Sequence, residues 1–108
     1  MFRQGDVLLV PIAEGAVPPL VHALPQQARD GRGRLVLARG EATGHTHAVV
    51  GPGSLARESD EFGQAWLHLA EGGRVVHEEH AAIALARGWY RIVRQREYTP
   101  GSLRVVAD

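Results

Sequence analysis

No cysteine and no lysine occur in this chain. The first absence excludes disulfides, thiolate zinc sites and cysteine nucleophiles together. The second leaves arginine as the only strong base. A high-GC genome explains that bias without any function; the functional reading is an anion-binding surface, since arginine makes bidentate contacts with phosphate or carboxylate. Net charge is missing too, with 12 basic residues balancing 12 acidic ones. No overall field therefore draws the chain to nucleic acid or acidic lipid. No apolar run approaches the roughly 20 residues that span a bilayer. The opening Met1-Phe2-Arg3-Gln4-Gly5-Asp6 lacks a signal-peptide h-region and cleavage site. These absences set the expectation of a cytoplasmic protein with no membrane and no nucleic-acid partner. The partner classes left are a small molecule or another protein, a second copy of the chain included.

What is present is ordinary globular material. The 108 residues, 44 % apolar and 22 % charged, suit a single domain over 1–108 with one modest core. Asp6-Val7-Leu8-Leu9-Val10-Pro11-Ile12 reads as a first strand, apolar on both faces and so central and covered on both sides, with Gly5-Asp6 as a turn before it. Residues 13 to 33 hold Pro18-Pro19, Pro25, Gly31 and Gly33, and read as a long loop with a turn of helix around Leu20–Leu24. A loop of that length often acts as a lid or a partner-binding arm.

Arg34 to Ala38 and His45 to Val50 read as the next strands, the latter stopped by Gly51-Pro52-Gly53. Residues 54 to 63 read as a polar connection. Ala65–Ala70 and Arg74–His77 flank Glu71-Gly72-Gly73, a hairpin signal. Glu78 to Arg87 fits a helix by its alanines or a strand by its alternation. Trp89 to Gln95 and Leu103 to Val106 close the series. Arg91, Arg94 and Arg96 read as the wet face of a strand, and Gln95-Arg96-Glu97-Tyr98 as a solvated strand end. The expectation is a mainly β domain, a small barrel or sandwich of about seven short strands with at most one short helix.

Four of the six histidines sit in two short motifs, Gly44-His45-Thr46-His47 and His77-Glu78-Glu79-His80. On a strand, residues i and i+2 share a face with Cα atoms roughly 6.5 Å apart, and two imidazoles at that spacing can lean onto one ion. His45 and His47 meet this condition if their segment is extended. His77 and His80 share a face if their segment is helical; if it is extended, only one of them can join. Glu41, Glu78 and Glu79 are candidates for a carboxylate ligand or for the acceptor that fixes a histidine tautomer. Read as turn chemistry alone, both clusters are polar surface turns. The metal reading expects a mononuclear site from His45, His47, His77 and/or His80, with Glu41, and with Glu78 or Glu79 as general base. Without thiolates the donor set suits Zn²⁺, Fe²⁺, Mn²⁺, Ni²⁺ or Cu²⁺ alike.

Gly44-His45-Thr46-His47 after a strand, followed by Ile83-Ala84-Leu85-Ala86-Arg87-Gly88-Trp89-Tyr90, resembles the two metal-bearing motifs of cupins. The resemblance implies a metal held inside a small β-barrel by the His-x-His pair, a following glutamate and a later histidine. His45 and His47 match the pair. Gly51 and Pro52 stand where the glutamate is expected, and Arg91 where the later histidine falls, so Glu41 with His77 or His80 would have to replace them. The chain is also similar to small uncharacterised bacterial proteins sharing the GE-x-TGH-x-H, HEEH and QREY stretches, a likeness that implies no function.

Overall fold

Gly5-Asp6 turns the chain back on itself after only three extended residues. Gly5 takes φ 58°, the conformation that the first central position of a type II′ hairpin turn requires and that glycine adopts without penalty. The computed structural model describes residues 1–39, 45–58 and 64–94, and the backbone alone of 96–99 and 102–105. Among these, the strands are β1 (Phe2–Gln4), β2 (Val7–Ile12), β3 (Leu35–Arg39), β4 (Thr46–Val50), β5 (Gly53–Arg57), β6 (Ala65–Leu69), β7 (Gly73–Val76), β8 (Ile83–Leu85), β9 (Gly88–Arg94), β10 (Arg96–Thr99) and β11 (Ser102–Val105). No helix of the described residues is long and apolar enough to cross a membrane.

Two antiparallel sheets result, in the orders β1-β2-β9-β6-β5 and β3-β4-β7-β8, with β10 and β11 paired as a separate ribbon. Val7, Leu9, Leu67, Leu69, Tyr90 and Ile92 of the first sheet and Leu35, Leu37, Val49, Val75 and Leu85 of the second form one core. No closed barrel is found among the described residues.

Several expectations change at this point. The Gly72-Gly73 turn does not close a hairpin. Its two arms belong to different sheets, β6 pairing with β5 and β9, and β7 with β4 and β8. The segment is a crossover, and it passes so close to the end of β4 that a Cβ on Gly73 would stand 2.4 Å from the Val50 carbonyl oxygen. Residues 54–57, expected within a polar connection, belong to the strand β5, because Leu55 and Ala56 are buried on opposite faces. β2 lies one place in from the sheet edge. Val7 to Val10 alternate between buried and half-buried and Pro11 is exposed, so the strand is covered fully on one face only. Glu78 to His80 form a turn, and the following segment is the strand β8.

The 13–33 loop is a packed cover. Two short 3₁₀ turns, Glu14–Ala16 and Pro19–Ala23, set Val17 and Val21 against Ala56 and Trp66 on the outer face of the first sheet. Gln27 fastens the loop's end, its N–H donating to Leu55 O and its side-chain amide to Val36 O. Farther on, Asp30 accepts the N–H groups of Arg32 and Arg34 and the Arg34 guanidinium. The Arg34 amide above all holds its carboxyl below the ordinary aspartate range. A group whose folded value is depressed contributes stability above its unfolded value and loses it as pH falls. Wild type should therefore exceed Asp30→Asn in urea-unfolding stability at pH 7, and the difference should vanish as pH falls below about 4.

Candidate functional site

The end of β1, the following turn and the end of β9 on one sheet meet β4 and the β7–β8 loop of the other. His47, on β4 between the neighbours β3 and β7, points inward on the same face as Val49 and is fully buried. Its Nδ1 lies 3.0 Å from Gln4 Oε1. The Gln4 amide nitrogen donates to two carbonyls, Ala81 O at 3.0 Å and Val75 O at 3.3 Å. That pair of acceptors fixes the amide orientation. Oε1 must therefore accept, and His47 Nδ1 must carry the proton. On the other side of the ring, His47 Nε2 faces Asp6 Oδ1 at 3.4 Å, with both side chains at 0 % exposure. Asp6 Oδ2 takes the Arg94 Nε–H at 2.8 Å, and Arg94 Nη2 also donates to Arg39 O.

The second histidine segment closes over this pair. The His77 ring lies 4.3 Å from His47, 4.6 Å from His80 and 5.4 Å from His45 by ring centroids, so it touches the other three. His47 and His80 stand 6.1 Å apart. All four candidate histidines of the two motifs thus meet. His77 Nδ1 accepts the backbone N–H groups of Glu79 at 3.0 Å and His80 at 3.3 Å, which shapes the turn. In the neutral ring this leaves the proton on Nε2, so His77 could ligate only if the turn released it.

Of the acids, Glu78 Oε2 accepts the Thr46 N–H at 2.9 Å, tying the turn to the start of β4. That amide is the main cause holding its carboxyl below the ordinary glutamate range. Glu79 is exposed and lies 3.6 Å from His45 Nδ1. Glu41 lies outside the described residues. The rings of His47, His77 and His80 lie at 18–48° to one another. Among the described residues no three His, Asp or Glu side chains form a group that could hold a metal ion as they stand. A cleft of about 200 Å³, lined by Arg32, Arg34, Val76, His77 and Glu78, reaches the cluster from outside.

Residues 3–95, which include every side chain just described, match the family model described as a domain of unknown function (DUF8820). The chain belongs to the DUF8820 family. No curated protein and no solved structure matches it.

Three residues that build this DUF8820 site were not singled out by the sequence as site residues: Gln4, Asp6 and Arg94. Asp6 read as turn chemistry, and Arg94 as the wet face of a strand. Arg94 instead turns inward, its side chain only 8 % exposed. A buried carboxylate demands a cationic or hydrogen-bonding partner, and Arg94 supplies one at 2.8 Å. His68, outside both histidine motifs, is half-buried and packs on Trp89 at 4.7 Å between ring centroids, away from the cluster.

Proposed function

We propose that this domain binds one divalent transition-metal ion at the histidine cluster. The observation that carries the reading is the meeting of His45, His47, His77 and His80, brought from two separate chain segments to one end of the two sheets. The reading takes the two sheets as a small sandwich. It keeps the His-x-His pair of the cupin pattern and draws its other donors from the β7–β8 loop. Modest rotation of the half-buried His45 and His80 rings toward His47 would bring their nitrogens to one ion. Zn²⁺, Fe²⁺, Mn²⁺, Ni²⁺ and Cu²⁺ all suit such donors. An incomplete protein donor set leaves a position where the ion can activate water or polarise a small substrate entering by the cleft. Glu79 is the acid better placed to accept a proton there, because Glu78 is committed to the Thr46 amide.

The test is elemental mass spectrometry on untagged protein purified without added metal. About one equivalent of a transition metal is expected in wild type and a small fraction of that in His45→Ala/His80→Ala, two positions chosen because neither is fully buried. Absence of metal from wild type, before and after incubation with Zn²⁺, overturns the reading. A second reading is favoured by the His77 turn bonds and the Gln4–His47 contact. In it the cluster is a metal-free polar core that joins the sheets, and the domain is a non-catalytic binding or assembly module.

A further inference from the structure

We infer that a groove on the outer face of the first sheet, flanked by Glu14 and Arg87, binds a small zwitterion with an apolar body, the chemistry of a free aromatic amino acid. The groove contains no residue of either histidine motif, and the inference goes beyond the metal reading without resting on it.

The argument begins from a row of side chains across three strands. Ile12 of β2 stands opposite Trp89 of β9, which stands opposite His68 of β6. Residues directly opposite in antiparallel strands share a face. Leu67 and Leu69, on either side of His68, belong to the core, so alternation sets His68 and the whole row on the outer face. The 13–33 cover meets this row through His22, whose ring packs edge-on to Trp89 at 5.6 Å. Trp89 remains only half-buried. With Ile12 and His68 it lines a groove of about 320 Å³. Small-molecule sites run from about 300 to 1,000 Å³ and combine an apolar or aromatic lining with a few placed polar groups.

The charged groups here are Glu14 and Arg87, both exposed. Each stands on a hydrogen-bonded turn. The Ala16 N–H donates to Ala13 O and the Val17 N–H to Glu14 O, while Tyr90 Oη donates to Ala86 O next to Arg87. The two side chains are opposite in sign and line one groove, yet they are not joined. Among the described residues neither makes a side-chain hydrogen bond or an ion pair. A simple anion entering the groove meets the Glu14 carboxylate, and a simple cation meets the Arg87 guanidinium. A zwitterion suits both, with its ammonium at Glu14 and its carboxylate on the guanidinium fork. An aromatic body then gains ring contact with Trp89 beyond the area it buries.

The experiment is an NMR titration of the full isotope-labelled chain, following the Trp89 indole N–H, which Trp89→Phe assigns. L-phenylalanine should shift this signal saturably, with half-saturation below about 10 mM. N-acetyl-L-phenylalanine lacks the ammonium and L-phenylalaninamide lacks the carboxylate. Each should bind about 3–10-fold more weakly, the scale of an exposed charged pair in good geometry. Glu14→Gln should erase the preference for phenylalanine over its N-acetyl derivative, and Arg87→Gln the preference over the amide. Both variants should keep the wild-type backbone amide spectrum, since neither side chain holds another part of the fold. The inference is overturned by phenylalanine that gives no saturable shift, by equal affinity for the three compounds, or by preferences that survive in both variants.

Discussion

Zn²⁺ at about a hundred times its dissociation constant should raise the melting temperature by roughly 10–20 °C. Binding to the native state alone contributes about 2.7 kcal/mol at that ratio, and each kcal/mol moves the midpoint of a domain this size by about 4–8 °C. The unfolded chain competes poorly, because it has no thiolates and its imidazoles are scattered through a flexible coil. In His45→Ala/His80→Ala a hundredfold weaker affinity leaves about 0.4 kcal/mol at the same concentration, a rise of only about 2–3 °C. Scanning fluorimetry with Zn²⁺, and with Mg²⁺ as an oxygen-preferring control, makes the comparison. Equal melting temperatures with Zn²⁺, with Mg²⁺ and with neither would count against any transition-metal site.

Gly73→Ala should cost about 2–3 kcal/mol, the upper part of the range for adding a methyl group where there is no room. The new Cβ would stand 2.4 Å from Val50 O and 3.6 Å from Gly51 Cα. All of these are backbone atoms at the end of the β4–β7 ladder, where Val50 pairs with Arg74. None can give way without parting the strands. Without that approach the sign would reverse, since alanine in a strand interior is about 0.5–1 kcal/mol better than glycine. Urea unfolding with an unchanged m-value reads the difference directly. A stabilised Gly73→Ala protein would mean that the crossover does not pass β4 as closely as described.

That crossover also marks where local sequence stops being informative. Glu71-Gly72-Gly73 between two alternating runs looks the same whether the runs pair with each other or with distant strands. Here β6 already has β5 and β9 on its two edges, and nothing in the glycines could announce it. β5 was hidden for a different reason. Gly53-Ser54-Leu55-Ala56-Arg57 carries a single large apolar side chain, and its burial comes from the 13–33 cover on one face and the core on the other.

The histidines were legible because metal-like spacing is a local property. His45 with His47, and His77 with His80, sit close enough in sequence that each pair suggests its own geometry, and the fold needed only to bring the pairs together. The rest of the site is long-range. Gln4 meets His47 across 43 residues, and Arg94 meets Asp6 across 88. No pattern within a strand's length could connect them. The arginine at the end of β9 looked solvated because alternation assigns a face without saying what lies opposite it.

The span between Asp6 and Arg94 bears on how the protein is made. At 5–20 residues per second, the ribosome releases the amino-terminal hairpin roughly 4–18 s before the arginine that neutralises its carboxylate. Throughout that interval β2 lacks its β9 partner, and Gln4 lacks the carbonyls of Val75 and Ala81 that orient it. A nascent chain therefore carries the His45–His47 pair before the opposing half of the site exists. If the histidine cluster takes up a metal ion as proposed, loading is a late event that waits for the finished domain, and a chain truncated ahead of Arg94 is expected to take up none.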